Sequence, residues 1–407
     1  MAEARSPIGE NLARIRKARG RTQEELAARS GVSVDVIARL EQGRKKGARW
    51  STLIKLANAL GVDLVVLVAP AGLLPQGNGI GNGDLTSLRQ AITTTTDLFG
   101  EEDLAEDQEV PSLPDLRASV NRAWASYQNG EFALVSRLLP GLIGDARRAT
   151  REWRSHDVAT AHTLLATAYN MAAGITVMLG HQDLAFTAVE RAAAASRAAD
   201  GPLPAAASMI FLSWILLKQG RYQEAERVAL SMAERIEPSF TSASRTELAT
   251  FGNLMVNASC AVVRTGNGER ASDHLSVARA AASRYGVDRV DQWSVFGPRV
   301  VGMYYASNAV ELADIEQAVR LAEEVPPPSG GALPPTWEAR YLLNMAYAHS
   351  ELGNDTETVN LLWQARQIAP EWVRYHPLSA TIVMEQLERP RKPSERLALL
   401  AEHLRVL

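Results

Sequence analysis

Cysteine is nearly absent from this sequence of 407 residues, which holds the single residue Cys260. One cysteine cannot form an intrachain disulfide or a cysteine-rich zinc site. Because Cys260 lies in the apolar stretch VNASCAVV, we predict a buried and unreactive thiol. The seven histidines are scattered, without an HExxH pattern or a pair at metal-ligand spacing. We therefore predict a protein that is not an enzyme and binds no metal or cofactor.

Long hydrophobic runs are also missing. The apolar run Leu64–Val68 is far shorter than the roughly 20 residues that a membrane-spanning helix needs. No charged-then-apolar leader stands at the N-terminus, and 46% hydrophobic with 22% charged residues is typical of soluble globular proteins. We predict a cytoplasmic protein without membrane contact. Because 407 residues exceed the size of one ordinary core, we expect two or more domains.

The charge is distributed unevenly along the chain. Residues 1–70 contain 13 Lys and Arg against 7 Asp and Glu, a balance of +6. Since the whole chain carries −3, the remainder carries −9. A basic N-terminal part on an acidic body indicates that the N-terminal part contacts a polyanion and the body does not.

Four short stretches of the N-terminal part have the apolar spacing of amphipathic helices, and Gly31 and Gly43 end two of them. Thr22 and Glu25 stand at the spacing of a capping box, which opens the second helix. Ser33 has the position of an N-cap for the third helix. Two helices joined by a tight glycine-containing turn predict a helix-turn-helix.

The stretch LARIRKARGRTQEELAARSGVSVDVIARLEQGRKK, followed by STLIKLANALGV, resembles the lambda-repressor-like DNA-binding domain of the XRE family over residues 8–68. The Thr-Gln-Glu-Glu-Leu-Ala opening, the Gly-Val-Ser turn and Ile-Ala-Arg-Leu-Glu-x-Gly stand at the family's spacing. The resemblance implies a small helical bundle that places its third helix, Ser33 to Gln42, in the major groove of duplex DNA.

Position by position, the resemblance also implies contact residues. The candidates for base contact are Gln23, Val34, Asp35, Ala38 and Arg39. The candidates for phosphate contact are Thr22, Gln42, Arg44, Lys45 and Lys46. Two alternatives stay open: Asp35 can merely complement the helix N-terminus, and Arg39 can pair with a neighbouring acid.

We assign residues 1–70 to this first domain, and its last segment is residues 62–68. Consecutive apolar residues rich in valine favour a buried strand, with a fifth helix as the alternative. In toxin-linked repressors with this kind of domain, such a segment pairs with its twin across a dimer axis.

Residues 71–110 read as a flexible linker, rich in Gly and Pro at first and then acidic from Asp97 to Glu109. The acidic run is either solvated or competes with DNA for the basic domain.

The body repeats one pattern: a helix ends at a small residue, a short turn follows, and a second helix begins. These small residues are Gly130, Gly180, Gly220, Gly266, Ala313 and Gly353, spaced by 50, 40, 46, 47 and 40 residues. The units resemble tetratricopeptide repeats, although they are longer than the usual length of about 34 residues. We assign residues 111–375 to this repeat domain and residues 376–407 to C-terminal capping helices.

A superhelix of such units has a concave face that can hold an extended ligand. Counting from the small residue, the family's groove positions fall on Arg117, Asn121, Asn170, Lys218, Asn257, Arg264, Arg340 and Asn344. Asparagine offers both a donor and an acceptor to a peptide backbone, and the basic residues suit an acidic group. The alternative is that these asparagines pack between repeats or face water.

The sequence therefore predicts an all-α protein: a lambda-repressor-like bundle, with a possible short strand at 62–68, joined to a superhelix of helix pairs. The combination resembles transcriptional regulators with a tetratricopeptide sensor, including the peptide-pheromone receptors of Gram-positive bacteria. This resemblance implies a homodimer that binds double-stranded DNA and responds to a short peptide or small-molecule effector. The alternative is a DNA-binding regulator whose repeats serve only as a scaffold for a protein partner.

Overall fold

A computed structural model describes residues 7–45, 48, 50–62, 67, 82–94, 109–153, 156–291, 294–389 and 392–406. These residues are almost entirely helical, which confirms the predicted all-α class. Part of the predicted dimer segment, residues 63–66 and 68, lies outside the described residues, as do residues 69–81 and most of the acidic run.

Within the described residues, four helices delimit the N-terminal domain. They are α1 (Pro7–Ala18), α2 (Gln23–Ser30), α3 (Val34–Glu41) and α4 (Trp50–Leu60). The capping box at the start of α2 is formed: the Thr22 hydroxyl accepts from the Glu25 amide at 3.1 Å, and the Thr22 amide donates to the Glu25 carboxylate at 2.8 Å. Apolar side chains from all four helices are fully buried and form the core, among them Leu12, Leu26, Ile37, Leu40 and Leu53. Leu67, from the predicted strand 62–68, is helical and fully buried, and its carbonyl accepts from Nδ2 of Asn11 at 3.2 Å, which favours the fifth-helix alternative at this residue.

Helices α1 and α3 touch through backbone at Gly9. A Cβ atom on Gly9 would lie 2.0 Å from the Leu40 carbonyl oxygen, so only glycine allows this approach. The sequence analysis did not identify this contact. It matters because it fixes α3 directly against the rest of the bundle.

One part of the predicted linker is structured. Residues 82–94 contain the helix α5 (Asn82–Ile92), on which Leu88 and Ile92 are fully buried. Its apolar face packs against the repeat domain, and the Asp84 carboxylate lies 3.8 Å from Arg137. The predicted flexible linker is therefore interrupted by a helix that belongs to the packed body.

Six helix pairs follow α5. They are α6 (Leu113–Asn129) with α7 (Phe132–Glu152), α8 (His156–Met178) with α9 (Gln182–Ser196), α10 (Leu203–Lys218) with α11 (Tyr222–Arg235), α12 (Arg245–Val263) with α13 (Gly268–Tyr285), α14 (Pro298–Glu311) with α15 (Ile315–Glu323), and α16 (Pro335–Glu351) with α17 (Asp355–Ile368). The predicted small residues stand at all six turns within the pairs, and each has a positive φ, including Ala313 at 61°. The predicted helix-pair pattern is confirmed.

The superhelix closes on itself. The first helices of successive pairs contact one another in sequence, and α16 returns to contact α6. At this closure the Thr336 hydroxyl donates to the Gln128 carbonyl at 2.9 Å, and the Ala133 amide donates to the Glu371 carboxylate at 3.0 Å. The predicted concave face is thus the inside of a ring rather than an open groove, and six helices line it: α6, α8, α10, α12, α14 and α16.

Short elements complete the body. A two-stranded antiparallel hairpin, β1 (Arg289–Asp291) and β2 (Ser294–Phe296), connects α13 to α14. Three helices follow α17: α18 (Pro370–Tyr375), α19 (Pro377–Glu388) and α20 (Glu395–Leu404). Of these, α19 packs on α16 and α20 on α17, so they cover the end of the last pair. None of the described helices is long and apolar enough to cross a bilayer.

Candidate functional site

Helix α3 presents one side to solvent and the other to the core. Ile37 and Leu40 are fully buried, whereas Val34, Asp35 and Arg39 are exposed. The Ser33 hydroxyl accepts from the Val36 amide at 3.4 Å and caps the helix as predicted. The N-terminal half of α3 is therefore a rigid, solvent-facing surface, which is the geometry of a helix that enters a major groove.

Asp35 and Arg39 pair with each other on this surface. The Arg39 Nε donates to the Asp35 Oδ1 at 3.0 Å, and both side chains stay mostly exposed, at 59% and 64%. The acidic partner that the sequence analysis left open as an alternative is therefore present in the free protein. An exposed pair of this kind contributes about 0–1 kcal/mol, so Arg39 can leave Asp35 at little cost.

A buried ion pair holds the other end of α3. Arg16 of α1 donates to both carboxylate oxygens of Glu41, each at 2.7 Å, and also to the Arg21 carbonyl at 2.7 Å. The side chains are only 10% and 7% exposed. Burial acts to raise the pKa of Glu41, but the hydrogen bonds from Arg16 and Gln23 outweigh it, so the pKa lies below its usual value. The sequence analysis missed this pair.

The remaining predicted contact residues occupy different environments. Gln23 is half-buried and donates to the Glu41 Oε2 at 2.8 Å, so it supports the ion pair in the free protein. Ala38 is half-buried. Thr22, Gln42, Arg44 and Lys45 are exposed around α2 and the end of α3. Lys46 lies outside the described residues.

Asparagines connect the inner helices of the ring. Nδ2 of Asn170 donates to the Ser208 hydroxyl at 3.3 Å, and Nδ2 of Asn257 donates to the Ile210 carbonyl at 2.8 Å. Nδ2 of Asn344 donates to the Ser307 hydroxyl at 2.9 Å. These bonds join neighbouring first helices, which is the packing alternative left open for these residues.

Two further residues of the predicted groove are on α6, the first of the inner helices. Asn121 and Arg117 are exposed on α6. Another asparagine, Asn308, was not predicted; its Nδ2 donates to the Ser259 hydroxyl at 2.7 Å and joins α14 to α12. Asn308 stands only five residues before the turn residue Ala313, whereas the predicted asparagines stand nine or ten residues before theirs. Counting back from the turn therefore did not identify it.

The predicted basic residues of the groove lie on the inner helices. Arg264 donates to the Glu311 carboxylate at 2.6 Å. Nη1 of Arg340 lies 3.4 Å from the Tyr304 hydroxyl. Lys218 ends α10, and its charge and that of Arg340 both affect His376, whose pKa burial lowers well below the usual range. The ring thus brings Lys218, Arg264 and Arg340 to a common interior.

Aromatic side chains that the sequence analysis missed share this interior. Burial raises the pKa of Tyr127 and raises that of Tyr304 to about 12. The rings of Tyr304 and Trp337 meet edge to face, with centroids 6.1 Å apart. Burial also raises the pKa of Cys260 to about 11, which keeps the thiol protonated at neutral pH, in agreement with the predicted unreactive state, although the residue is half-buried rather than fully buried as predicted.

The N-terminal domain contacts the ring at the turn between α10 and α11. The Tyr222 hydroxyl donates to the Asn58 Oδ1 at 3.0 Å. A Cβ on Gly220 would lie 2.5 Å from the carbonyl carbon and oxygen of Gly61, so the two backbones are in direct contact. The contact uses the end of α4, and it leaves the exposed surface of α3 accessible.

A separate cavity of about 630 Å³ lies between α13 and the pair α14 and α15. The Arg279 guanidinium stands over the Tyr305 ring there, 5.1 Å from its centroid. None of the residues predicted for the groove lines this cavity. Within the described residues, no cluster of three His, Cys, Asp or Glu side chains could hold a metal ion.

Comparison with known proteins covers the N-terminal domain. The helix-turn-helix family HTH_3 matches residues 12–67. The uncharacterized HTH-type transcriptional regulator y4dJ of Sinorhizobium fredii is 45% identical over 75 residues, which are 18% of this chain and 96% of that protein. The uncharacterized HTH-type transcriptional regulator RghRB of Bacillus subtilis is 39% identical over 67 residues, 16% of this chain and 48% of that protein.

Proposed function

Because the chain belongs to the helix-turn-helix family of transcriptional regulators, we propose that it reads a specific DNA sequence as a homodimer under the control of an effector in its ring. The DNA-binding part of this proposal is supported by the exposed face of α3. The domain that presents this face is held rigid by its apolar core and by the Arg16–Glu41 ion pair. The basic balance of residues 1–70 supports the same function.

In this proposal α3 lies in the major groove. Arg39 hydrogen-bonds a guanine, Val34 contacts a thymine methyl group, and Asp35 accepts from cytosine N4. Arg44 and Lys45 contact phosphates, which gives affinity without sequence information.

Replacing Arg39 by alanine should weaken binding to the preferred site by about 1–3 kcal/mol and relax preference at one base pair. Lys45→Ala should instead weaken specific and random DNA alike and lower the salt dependence, because it removes a phosphate contact. Fluorescence anisotropy with the full chain on a selected site and on random duplex measures both effects. An equal loss on both duplexes for Arg39→Ala would contradict base readout by this residue.

We propose a homodimer because one bundle buries little DNA surface, and dimers that bind two half-sites about one helical turn apart are the usual arrangement. The contact is either the outer surface of the ring or the segment 62–68. Light scattering of the full chain at micromolar concentration should give the mass of two chains. A single-chain mass under those conditions would contradict the dimer.

The ring is proposed to be the sensor. A peptide or small molecule in its interior would contact side chains from several inner helices and change the ring that carries the N-terminal domain. The bonds of Asn170, Asn257 and Asn344 to neighbouring helices give a route by which such contacts would change helix packing. In the alternative proposal the ring binds only a protein partner, in which case no small ligand changes the melting temperature or the DNA affinity.

A further inference from the structure

Helix α5 shows how two neighbouring helix pairs hold a further helix. It contacts α7 and α9, which are the second helices of the first two pairs, and also α8, which joins them in the chain. Leu88 and Ile92 stand four residues apart on one face of α5, and both are fully buried. Two helical walls and a helical floor therefore form a seat for an amphipathic helix.

Charges match both ends of α5 in this seat. Arg137 of α7 lies 3.8 Å from the carboxylate of Asp84, in the first turn of α5. Arg191 of α9 donates to the Thr94 carbonyl, just beyond the last turn, at 3.3 Å. The carbonyl end of a helix carries a partial negative charge, which a guanidinium complements. Both walls thus supply a cation to a negative group of the seated helix.

The cavity between α13 and the pair α14 and α15 has the same arrangement. Its walls are the second helices of the fourth and fifth pairs, and α14 forms its floor. Four apolar side chains that line it are at most 5% exposed: Ala271, Leu275, Val301 and Ala309. Leu312 at its edge is 39% exposed. The cavity is therefore an apolar seat of the kind that α5 occupies between α7 and α9.

The charges at equivalent positions of the two seats are opposite. Arg137 is the seventh residue after the turn residue of its pair, and Arg191 is the eleventh after that of the next pair. The seventh residue after the turn residue of the fourth pair is Asp273, and the eleventh after that of the fifth pair is Glu324. Both are exposed, and Glu324 lines the cavity. A helix seated there would meet two carboxylates where α5 meets two guanidinium groups.

The other charged residues of the cavity are already engaged. The Arg279 guanidinium lies over the ring of Tyr305, and the Asp314 side chain accepts from the Gln317 amide at 3.2 Å and caps α15. Among the described residues, none forms an ion pair with Glu324. The charge that remains for a bound helix is therefore negative.

We propose that this cavity is the docking site for an amphipathic helix of a partner protein, with apolar residues four apart on one face and basic residues beside them. The apolar residues would take the role of Leu88 and Ile92, and the basic residues would approach Asp273 and Glu324. The α5 helix of a second copy lacks this complementarity, because its Asp84 would meet a carboxylate. The inference goes beyond DNA reading and beyond an effector in the ring, and it requires neither.

The test is fluorescence anisotropy of labelled helical peptides with the full chain at about 0.15 M salt. Three peptides share one alanine-rich scaffold of about 18 residues, with Leu and Ile four apart and with Lys, Gln or Glu at the flanking positions. The Lys peptide should bind saturably, the Gln peptide roughly threefold to tenfold more weakly, and the Glu peptide more weakly again. A Lys peptide with Leu and Ile two apart, on different faces, should not bind.

Variants assign this binding to the cavity. Glu324→Arg should remove the preference for the Lys peptide, and Glu324→Arg combined with Asp273→Arg should invert it. Glu323→Arg is the matched control: Glu323 is exposed next to Glu324 but does not line the cavity, so the preference should stay. Leu312→Glu should weaken all three peptides by about tenfold or more, because it puts a charge at the apolar edge. If a thermal melt shows that Leu312→Glu disturbs folding, the exposed Glu324 variants decide alone.

Four outcomes would overturn the proposal. No peptide binds, the three peptides bind equally, or the double variant keeps the preference for the Lys peptide. In the fourth, light scattering gives the mass of two chains for the unchanged protein and of one chain for Leu312→Glu, which would assign the cavity to a second copy. DNA reading is tested separately through α3, so none of these results bears on it.

Discussion

Replacement of Arg16 by methionine is expected to unfold or strongly loosen the N-terminal domain and to abolish specific DNA binding. The change leaves the Glu41 carboxylate buried with Gln23 as its remaining side-chain partner. Removal of one member of a buried ion pair costs about 3–5 kcal/mol, because the other charge is left without compensation. A domain as small as this one has a small core with little stability in reserve.

Hydrogen exchange measured on the full chain separates this loss from unfolding of the ring. Amides of α1 to α3 should exchange much faster in Arg16→Met, while amides of α12 should be unchanged. Arg14→Met, on the exposed side of the same helix, is the control and should have little effect. The double variant Arg16→Met with Glu41→Met should recover much of the stability, since an apolar pair can replace a buried ion pair. Exchange in Arg16→Met that matches the control would contradict a stabilising role of the pair.

A second large effect is expected for Gly220→Ala at the contact between the ring and the N-terminal domain. The added Cβ would overlap the carbonyl of Gly61, so the two parts have to separate at this point. Protection of amides near Asn58 and Gly61 should fall by about tenfold or more, because local opening then no longer requires breaking the contact. DNA binding by the N-terminal domain should survive, whereas any effect of a ring ligand on DNA affinity should be lost.

The matched control is Gly266→Ala. Gly266 occupies the same turn position in another helix pair, with φ of +85° against +74° for Gly220, and a Cβ there meets no atom within 4 Å. Both variants carry the same backbone strain of an alanine in the left-handed region, about 1–2 kcal/mol, and only Gly220→Ala adds the clash. Equal protection near Asn58 in the two variants would contradict the proposed coupling through this turn.

Local features of this fold could be predicted from the sequence. The capping box of Thr22 and Glu25 depends on residues three apart, and the turn glycines follow helices whose apolar spacing is visible. The exposed positions of α3 follow from the same spacing, which buries Ile37 and Leu40 and turns Val34 and Arg39 outward.

Contacts between distant residues could not be predicted in this way. Arg16 and Glu41 are 25 residues apart, Asn58 and Tyr222 are 164 apart, and the closing bond of Thr336 spans 208 residues. No local pattern distinguishes these side chains from others of their type, so ring closure appears only in the folded chain.

The asparagines of the inner helices show how far sequence spacing can predict the role of a side chain. Spacing from the turns placed Asn170, Asn257 and Asn344 on the inner helices, but an amide can bond either a ligand or a neighbouring helix. The sequence contains no information about which partner is in reach. The structure supplies that partner as the adjacent inner helix in each case.

Footprinting of the full chain on DNA fragments selected from the genome tests the central claim most directly. With excess random duplex present, the unchanged chain should protect a discrete site, as two half-sites about one helical turn apart if the dimer is correct. Arg39→Ala should lose this protection at concentrations where its binding to random duplex is unchanged. Binding by the unchanged chain that covers all fragments evenly, or no binding at all, would contradict a sequence-specific DNA-reading function.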